Sequence, residues 1–349
     1  MDRRTFLKQS GLFVVTTLSG SSFLVGCGTP QPAAPSVNRP TSLRNEIYLT
    51  PFQHIIAHID VYVAMEKGWF EEQGLLIKPV GGTGTAASVS QVAAKQALYG
   101  KAASIITVPQ IADQNVPLLS VGQVDQRSQY SVASLPERPL KHPRDWQGKS
   151  IGVISRGGTT ELLLDAMSIM TGLDPNNVNK KVTGADAGSY EFLRRGEVDG
   201  FITFSGSETA FRVMGINLHY LNTDEFARVP GDAYIVLRET AEKDGQAVLG
   251  FLRAVKRAYE WLQDKNNHDE AIRIMGKWNP VEVEDRKLAL AKIEAQVKLA
   301  TPDPGGKLLR ADPQAWEDGV RVMARAGIIK HQNLKATDCY TNRFVDQLS

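Results

Sequence analysis

From residue 47 onward, apolar runs of strand length alternate with runs whose apolar residues recur at helical spacing. That alternation confines the chain to an α/β architecture. Ile47-Tyr48-Leu49 predicts a first strand, with a helix over residues 60–67. Residues 75–80 predict a second strand, ending in Gly81-Gly82-Thr83-Gly84-Thr85 before an Ala/Val-rich stretch at 86–98. Residues 105–108 and 118–124 are expected as further strands. A second unit opens with Asp145-Trp146-Gln147-Gly148-Lys149 ahead of the buried-strand run Ile151-Gly152-Val153-Ile154. Arg156-Gly157-Gly158-Thr159-Thr160 follows, then a helix with Leu163, Ala166, Met167 and Met170 on one face. Residues 198–202 predict another strand, and the chain is expected to return to the first unit around 233–237. The remainder reads as helical. Leu252, Val255, Tyr259 and Leu262 share a face, and Asp312-Pro313 supplies an N-cap and a first-turn proline before Trp316, Val320 and Met323.

Two glycine-threonine loops fall between a strand and a helix, one in each unit. That position aims backbone N–H groups, hydroxyls and a positive helix end at the carboxyl edge of a sheet, where open α/β sheets take their ligands. Gly82, Thr83, Gly84 and Thr85 in one loop and Gly157, Gly158, Thr159 and Thr160 in the other are therefore candidate ligand contacts. Facing each other, they would grip one polar or anionic group from opposite sides; tight turns without a ligand role are the alternative. Neither loop carries the G-x-x-x-x-G-K-[ST] pattern that cradles a nucleoside triphosphate.

The first residues read as an address. Arg3-Arg4-Thr5-Phe6-Leu7-Lys8 precedes an apolar stretch at 12–25 that is short for a membrane span. The arginine pair followed by Phe-Leu-Lys resembles a twin-arginine export signal, with a general secretory signal as the alternative. Leu24-Val25-Gly26-Cys27 resembles a lipoprotein cleavage box, which makes Cys27 the expected lipidation site and implies an exported protein anchored at the cell envelope. Residues 28–42, rich in Pro, Ala, Ser and Thr, have the composition of a tether. The chain has two cysteines, so with Cys27 acylated Cys339 stands alone and no disulfide or cysteine-based metal site can form. Arg3, Arg4 and Lys8 against Asp2 account for the formal net charge of +2, and the remainder is neutral. A neutral chain without basic runs argues against a nucleic-acid partner.

One segment carries a family resemblance. His58-Ile59-Asp60-Val61-Tyr62-Val63-Ala64-Met65-Glu66-Lys67-Gly68-Trp69-Phe70-Glu71-Glu72-Gln73-Gly74-Leu75 resembles the corresponding stretch of the periplasmic binding proteins for nitrate, sulfonate, taurine and thiamine-pyrimidine. Asp145 to Lys149, Gly196-Glu197-Val198-Asp199-Gly200 and Tyr340-Thr341-Asn342-Arg343-Phe344 follow in that family's order. The resemblance spans the chain after Asn45. It departs at Gly100-Lys101-Ala102-Ala103, where the family usually has Asp in the fourth place.

The resemblance implies the two-lobed (type II) periplasmic-binding-protein fold, each lobe a mixed sheet flanked by helices, with ligand in the cleft. The expected division is a signal at 1–26, a tether at 27–43, lobe 1 at 44–126, lobe 2 at 127–232, and a return with C-terminal helices at 233–349. Lobe crossings are expected near 123–128 and 229–233. The implied role is delivery of a small molecule to an ABC permease, by a monomer without cofactor.

Further ligand candidates follow from position. Phe52 and Gln53 follow the first strand, where an aromatic ring could stack on a planar ligand; core packing is the alternative. Thr107 lies near the end of the expected third strand. Ser205 and Glu208 follow the strand at 201–204, and the resemblance gives a Glu near Glu208 a contact with a ring amino group; a solvated helix Glu is the alternative. His54 and His58, four apart, have a spacing that can hold a metal, but no third ligand is evident and no metal is expected. The rival reading is a thiamine-pyrimidine synthase, which uses pyridoxal phosphate and iron. Such enzymes carry Lys and His where this chain has Thr107 and Ile111, and this chain has no cysteine between 28 and 338. No G-x-S-x-G elbow or HExxH motif is present. A ligand sensor for a membrane receptor remains a third reading.

Overall fold

Two five-stranded mixed sheets form the framework of the computed structural model, which describes residues 42–184 and 187–348. Arg3, Arg4, Cys27 and the tether before residue 42 lie outside the described residues. The strands are β1 (Arg44–Leu49), β2 (Leu75–Val80), β3 (Tyr99–Ala103), β4 (Leu118–Gln123), β5 (Tyr130–Ser134), β6 (Ser150–Val153), β7 (Asn179–Val182), β8 (Gly200–Phe204), β9 (His219–Asn222) and β10 (Asp232–Leu237). The first sheet runs β2-β1-β3-β10-β4 and the second β7-β6-β8-β5-β9. In the first, β1 is parallel to β2 and β3, while β10 lies antiparallel between β3 and β4. In the second, β6 is parallel to β7 and β8, while β5 lies antiparallel between β8 and β9.

The helices are α1 (Ile59–Glu66), α2 (Thr85–Ala93), α3 (Ser104–Gln114), α4 (Thr159–Met170), α5 (Ala187–Arg194), α6 (Ser205–Val213), α7 (Arg238–Lys243), α8 (Gly245–Leu262), α9 (His268–Gly276), α10 (Arg286–Ala300) and α11 (Pro313–Arg325). Each parallel strand is followed by a helix or loop at its carboxyl end, so β1, β2, β3, β6 and β8 all deliver their following residues to the sheet edge where ligands collect. The α8 face read from the sequence is buried: Leu252, Val255, Tyr259 and Leu262 pack inward. Phe251 beside them stacks on Tyr99 at 4.2 Å and meets Tyr234 edge-on at 5.0 Å, tying α8 to the centre of the first sheet. Asp312 caps α11 as expected, its carboxylate accepting from the Gln314 N–H at 3.0 Å.

The chain passes from the first sheet to the second between β4 and β5, and returns between β9 and β10. These two crossings are bonded to each other: the Val124 and Asp125 N–H groups both donate to the Asp232 carbonyl, at 2.9 and 3.0 Å.

One expected strand is a helix. Ile105-Ile106-Thr107-Val108 is rich in β-branched residues yet lies in α3, and the strand is Tyr99–Ala103 just before it. All five residues of β3, including Tyr99 and Lys101, are buried between β1 and β10 in the centre of the sheet. The β-branched run instead packs its Ile105 and Val108 into the core from a helix, tertiary burial outweighing local propensity.

Candidate functional site

A cavity of about 360 Å³ lies between the carboxyl edges of the two sheets, a size suited to a small ligand. On the first-sheet side, Phe52 bridges Thr83 in antiparallel fashion, joining the loop after β1 to the loop after β2. Thr50 organises the pair: its hydroxyl donates to the Gln53 carbonyl at 2.7 Å and accepts from the Gly82 N–H at 3.1 Å. The Ser88 hydroxyl donates to the Thr50 carbonyl at 2.8 Å. A side chain at Gly82 would put its Cβ 2.1 Å from that carbonyl, so the loop closes only around glycine. Gly84, at φ 147°, turns the chain into α2, which begins without a side-chain cap and without an acidic residue in its first turn.

The second sheet contributes the loop after β6. The Thr160 hydroxyl accepts from the Ile154 N–H at 3.1 Å, pinning the start of α4 to the strand end. Glu161 accepts from the Gly157 N–H at 2.6 Å and from Arg156 at 2.8 Å. Partial burial works against its ionisation, but the Gly157 N–H and the Arg156 guanidinium hold its carboxyl below the usual range. Arg156 also donates to the Lys180 carbonyl, so its guanidinium is engaged on both sides. Thr159 differs from its neighbours. Only 8% exposed, it meets the Tyr130 phenol without completing a hydrogen bond at Oγ1.

The crossing segments supply the floor. Gln129 and Asp232 line the cavity, and the Gln129 amide donates to Asp232 at 3.3 Å and to Asp125 at 3.2 Å. Behind them lies a buried charged group. Lys101 donates to the Ala57 carbonyl at 2.9 Å, and Asp60 accepts from the Tyr234 hydroxyl. Burial raises the Asp125 carboxyl to about 7, with Asp232 pushing the same way and Lys101 opposing. Burial likewise raises Asp232 and Asp60, again against Lys101. His58 is 1% exposed and lines the cavity. Burial, then Lys101, holds its pKa well below the ordinary value, against the adjacent Phe52 and Ala57 backbone, so the ring is neutral.

The structure thus brings Phe52, Thr83, Gly84, Thr85, Gly157, Gly158, Thr159 and Thr160 together around one cavity. Five other candidates do not line it. Gln53 turns its side chain to solvent at φ 46° while its backbone bonds Gly82. Gly82 is a packing glycine beneath Thr50. Thr107 is buried in α3 with its hydroxyl on the Ser104 carbonyl at 3.3 Å. Ser205 opens α6, its carbonyl accepting from Thr209. Glu208 pairs with Arg212 one turn on, at 2.6 Å, rather than facing the cavity. His54 bonds the Tyr62 hydroxyl at 2.6 Å and packs on Trp278.

Residues that the sequence did not offer as ligand contacts also line the cavity, among them Gln129, Tyr130, Arg156, Phe204 and Asp232. Two had an available signal. Gln129 and Asp232 flank or fall within the expected lobe crossings, and a cleft between lobes must be floored by the segments that cross it. His58 enters the sequence reading as the start of the family-like segment and as a metal candidate, not as a ligand contact.

Residues 55–268, more than half of the chain, match the family described as NMT1/THI5 like. The formylaminopyrimidine-binding protein of Halalkalibacterium halodurans is 24% identical over 277 residues, 75% of this chain and 79% of that protein. The alkanesulfonate-binding protein SsuA from Xanthomonas axonopodis pv. citri, solved with bound MOPS, has a TM-score of 0.64 at 16% identity, covering 87% of this chain and 99% of its own. The desulfurization enzyme DSZB has a TM-score of 0.56 at 12% identity, covering 86% and 98%. These structural likenesses are in fold: the two mixed sheets flanked by helices are those of the periplasmic binding proteins. The chain belongs to the NMT1/THI5-like family.

Proposed function

We propose that the protein is the solute-binding component of an ABC importer, capturing a small molecule in the cavity between its sheets and presenting it to a membrane permease. One observation carries this reading. Each sheet sends a strand–Gly/Thr–helix loop to the same cavity, where the buried Thr159 and His58 also contribute to the lining. Binding rather than catalysis fits the lining, which includes no lysine or cysteine. At the positions where synthases carry Lys and His, Thr107 is buried and bonded to its own helix, and Ile111 is apolar. DSZB shows that a related fold can host an enzyme, so the proposal rests on these residues and not on the fold.

The proposal includes export, anchoring through an acylated Cys27 and action as a monomer. It is tested by thermal-shift screening of the full chain against a small-molecule extract of the source cells. A ligand at 100 times its Kd stabilises by about 2.7 kcal/mol. Isothermal titration of the purified ligand into Thr85→Ala and Thr159→Ala should then show affinity reduced several-fold to tenfold. Unchanged affinity in both variants would place the site elsewhere.

A further inference from the structure

We propose that Glu282 and Lys292 are positioning residues for the cavity: through this ion pair α10 fixes the first-sheet wall in its binding geometry, although neither side chain lines the site. The proposal rests on the cavity being the site of capture.

The wall in question is residues 55–58, between β1 and α1. Ile55, Ala57 and His58 line the cavity, and Ile56–His58 form a single 3-10 turn. Ile55 at its head supplies no side-chain cap, so the first N–H of the turn needs an acceptor from elsewhere. Glu282, 226 residues further along the chain, provides it: Oε2 accepts from the Ile56 N–H at 3.1 Å. Two more side chains grip the same backbone. Asn279 donates to the His54 carbonyl at 2.8 Å, and Lys101 to the Ala57 carbonyl at 2.9 Å. None of these three side chains lines the cavity, so the wall is held from outside it.

Glu282 is in turn fixed by Lys292. Its Oε1 accepts from the Lys292 ammonium at 2.9 Å, and the two side chains are 16% and 19% exposed. Both carboxylate oxygens are therefore engaged, one on the wall and one on α10. In a largely buried pair, removing either partner leaves the other charge poorly compensated, so the two act as a unit.

The position of α10 gives this attachment its consequence. The helix packs against Ile56–His58 on the first-sheet side and against α6 on the second. α6 starts directly after Phe204, which lines the cavity from the other sheet. α10 also reaches the floor: Gln296 donates to Asp125 at 3.5 Å, and the Leu299 carbonyl accepts from the Gln126 N–H at 3.0 Å. One helix thus touches both walls and a crossing between them. Freed from it, residues 55–58 would have to be ordered as the solute enters, and that ordering is drawn from the binding free energy.

The test uses the full chain, with amide exchange at Ile56 and a small-molecule extract of the source cells as the probe. The extract is added in serial dilution, and the dilution giving half of the maximal Tm shift is read for each variant, whatever its own Tm. Glu282→Ala should speed exchange at the Ile56 N–H about tenfold and require about tenfold more extract. Lys292→Met keeps the acceptor for Ile56 and should require several-fold more extract, with Glu282→Gln between the two. Val248→Ala, which truncates a fully buried α8 side chain outside the lining, should lower the Tm without moving the half-shift dilution. Unchanged exchange at Ile56, or an unchanged dilution in both Glu282→Ala and Lys292→Met, overturns the proposal. An equal displacement by Val248→Ala does so too, because it would reduce the pair to a general stabilising role. No shift in the parent overturns the binding-protein reading instead, and the exchange measurement then still decides whether Glu282 holds the wall. If Glu282→Ala folds poorly, Lys292→Met and Glu282→Gln carry the same comparison.

Discussion

Asp125→Asn removes a carboxyl that burial keeps protonated beneath the cavity. Asp125 is 2% exposed, and its pKa is raised from 3.8 to about 7 by burial and then by Asp232, against the pull of Lys101. Between those values the folded chain keeps a proton that the unfolded chain has released. Stability therefore falls as pH rises, by about 1.4 kcal/mol per pH unit from this group. Its favourable contribution is fully present below about pH 4 and lost once the pH passes about 7, a change of about 4 kcal/mol. Asparagine keeps the shape, and rotation of the Gln129 or Gln296 amide restores the hydrogen bonds now made to the carboxylate. Asp232 should also ionise more readily once its neighbour is neutral, which flattens the profile further. The assay is urea unfolding of both proteins from pH 4 to pH 8. The parent should lose about 4 kcal/mol more than the variant across that range. Parallel profiles would refute the reasoning, because they would mean that Asp125 is ionised throughout and fully compensated by Lys101.

Glu208→Gln should leave ligand affinity within about twofold and stability within about 0.5 kcal/mol by titration and urea unfolding, since an exposed helical pair with Arg212 contributes little. Gly82→Ala should cost about 3 kcal/mol or more in urea unfolding, because the new methyl would overlap the Thr50 carbonyl and lie 2.6 Å from the Ser88 hydroxyl. Cys27→Ser should release the protein from the membrane or leave its precursor unprocessed; an intact mass showing an unmodified Cys27 in the parent would remove the lipid anchor from the proposal.

Much of the framework was legible because it is local. Strands at 75–80 and 151–154, the Asp312 cap and the buried face of α8 follow from periodicity and capping within a dozen residues. The two glycine-threonine loops were legible for the same reason: a strand end, a glycine and a helix start adjoin in the chain. Tyr130–Ser134 was missed, since a short segment with two serines reads as polar although four of its five residues are buried. Glu208 shows the limit from the other side. Its place after β8 was correct, but which way a helical side chain points depends on the packing of α6, and it points to Arg212.

By itself, the sequence determined the α/β alternation, the two units and the loops at their strand ends, because each depends on neighbours in the chain. Only the tertiary structure decided that Tyr99–Ala103 is a strand and that Ile105-Ile106-Thr107-Val108 is helical, because burial between β1 and β10 outweighs propensity. It also decided which residues floor the cavity. Gln129 and Asp232 are 103 residues apart and meet only because the two crossings pair. Lys101, Asp60, Asp125 and Asp232 come from separate elements and gather beside a cavity only once the chain has folded around it.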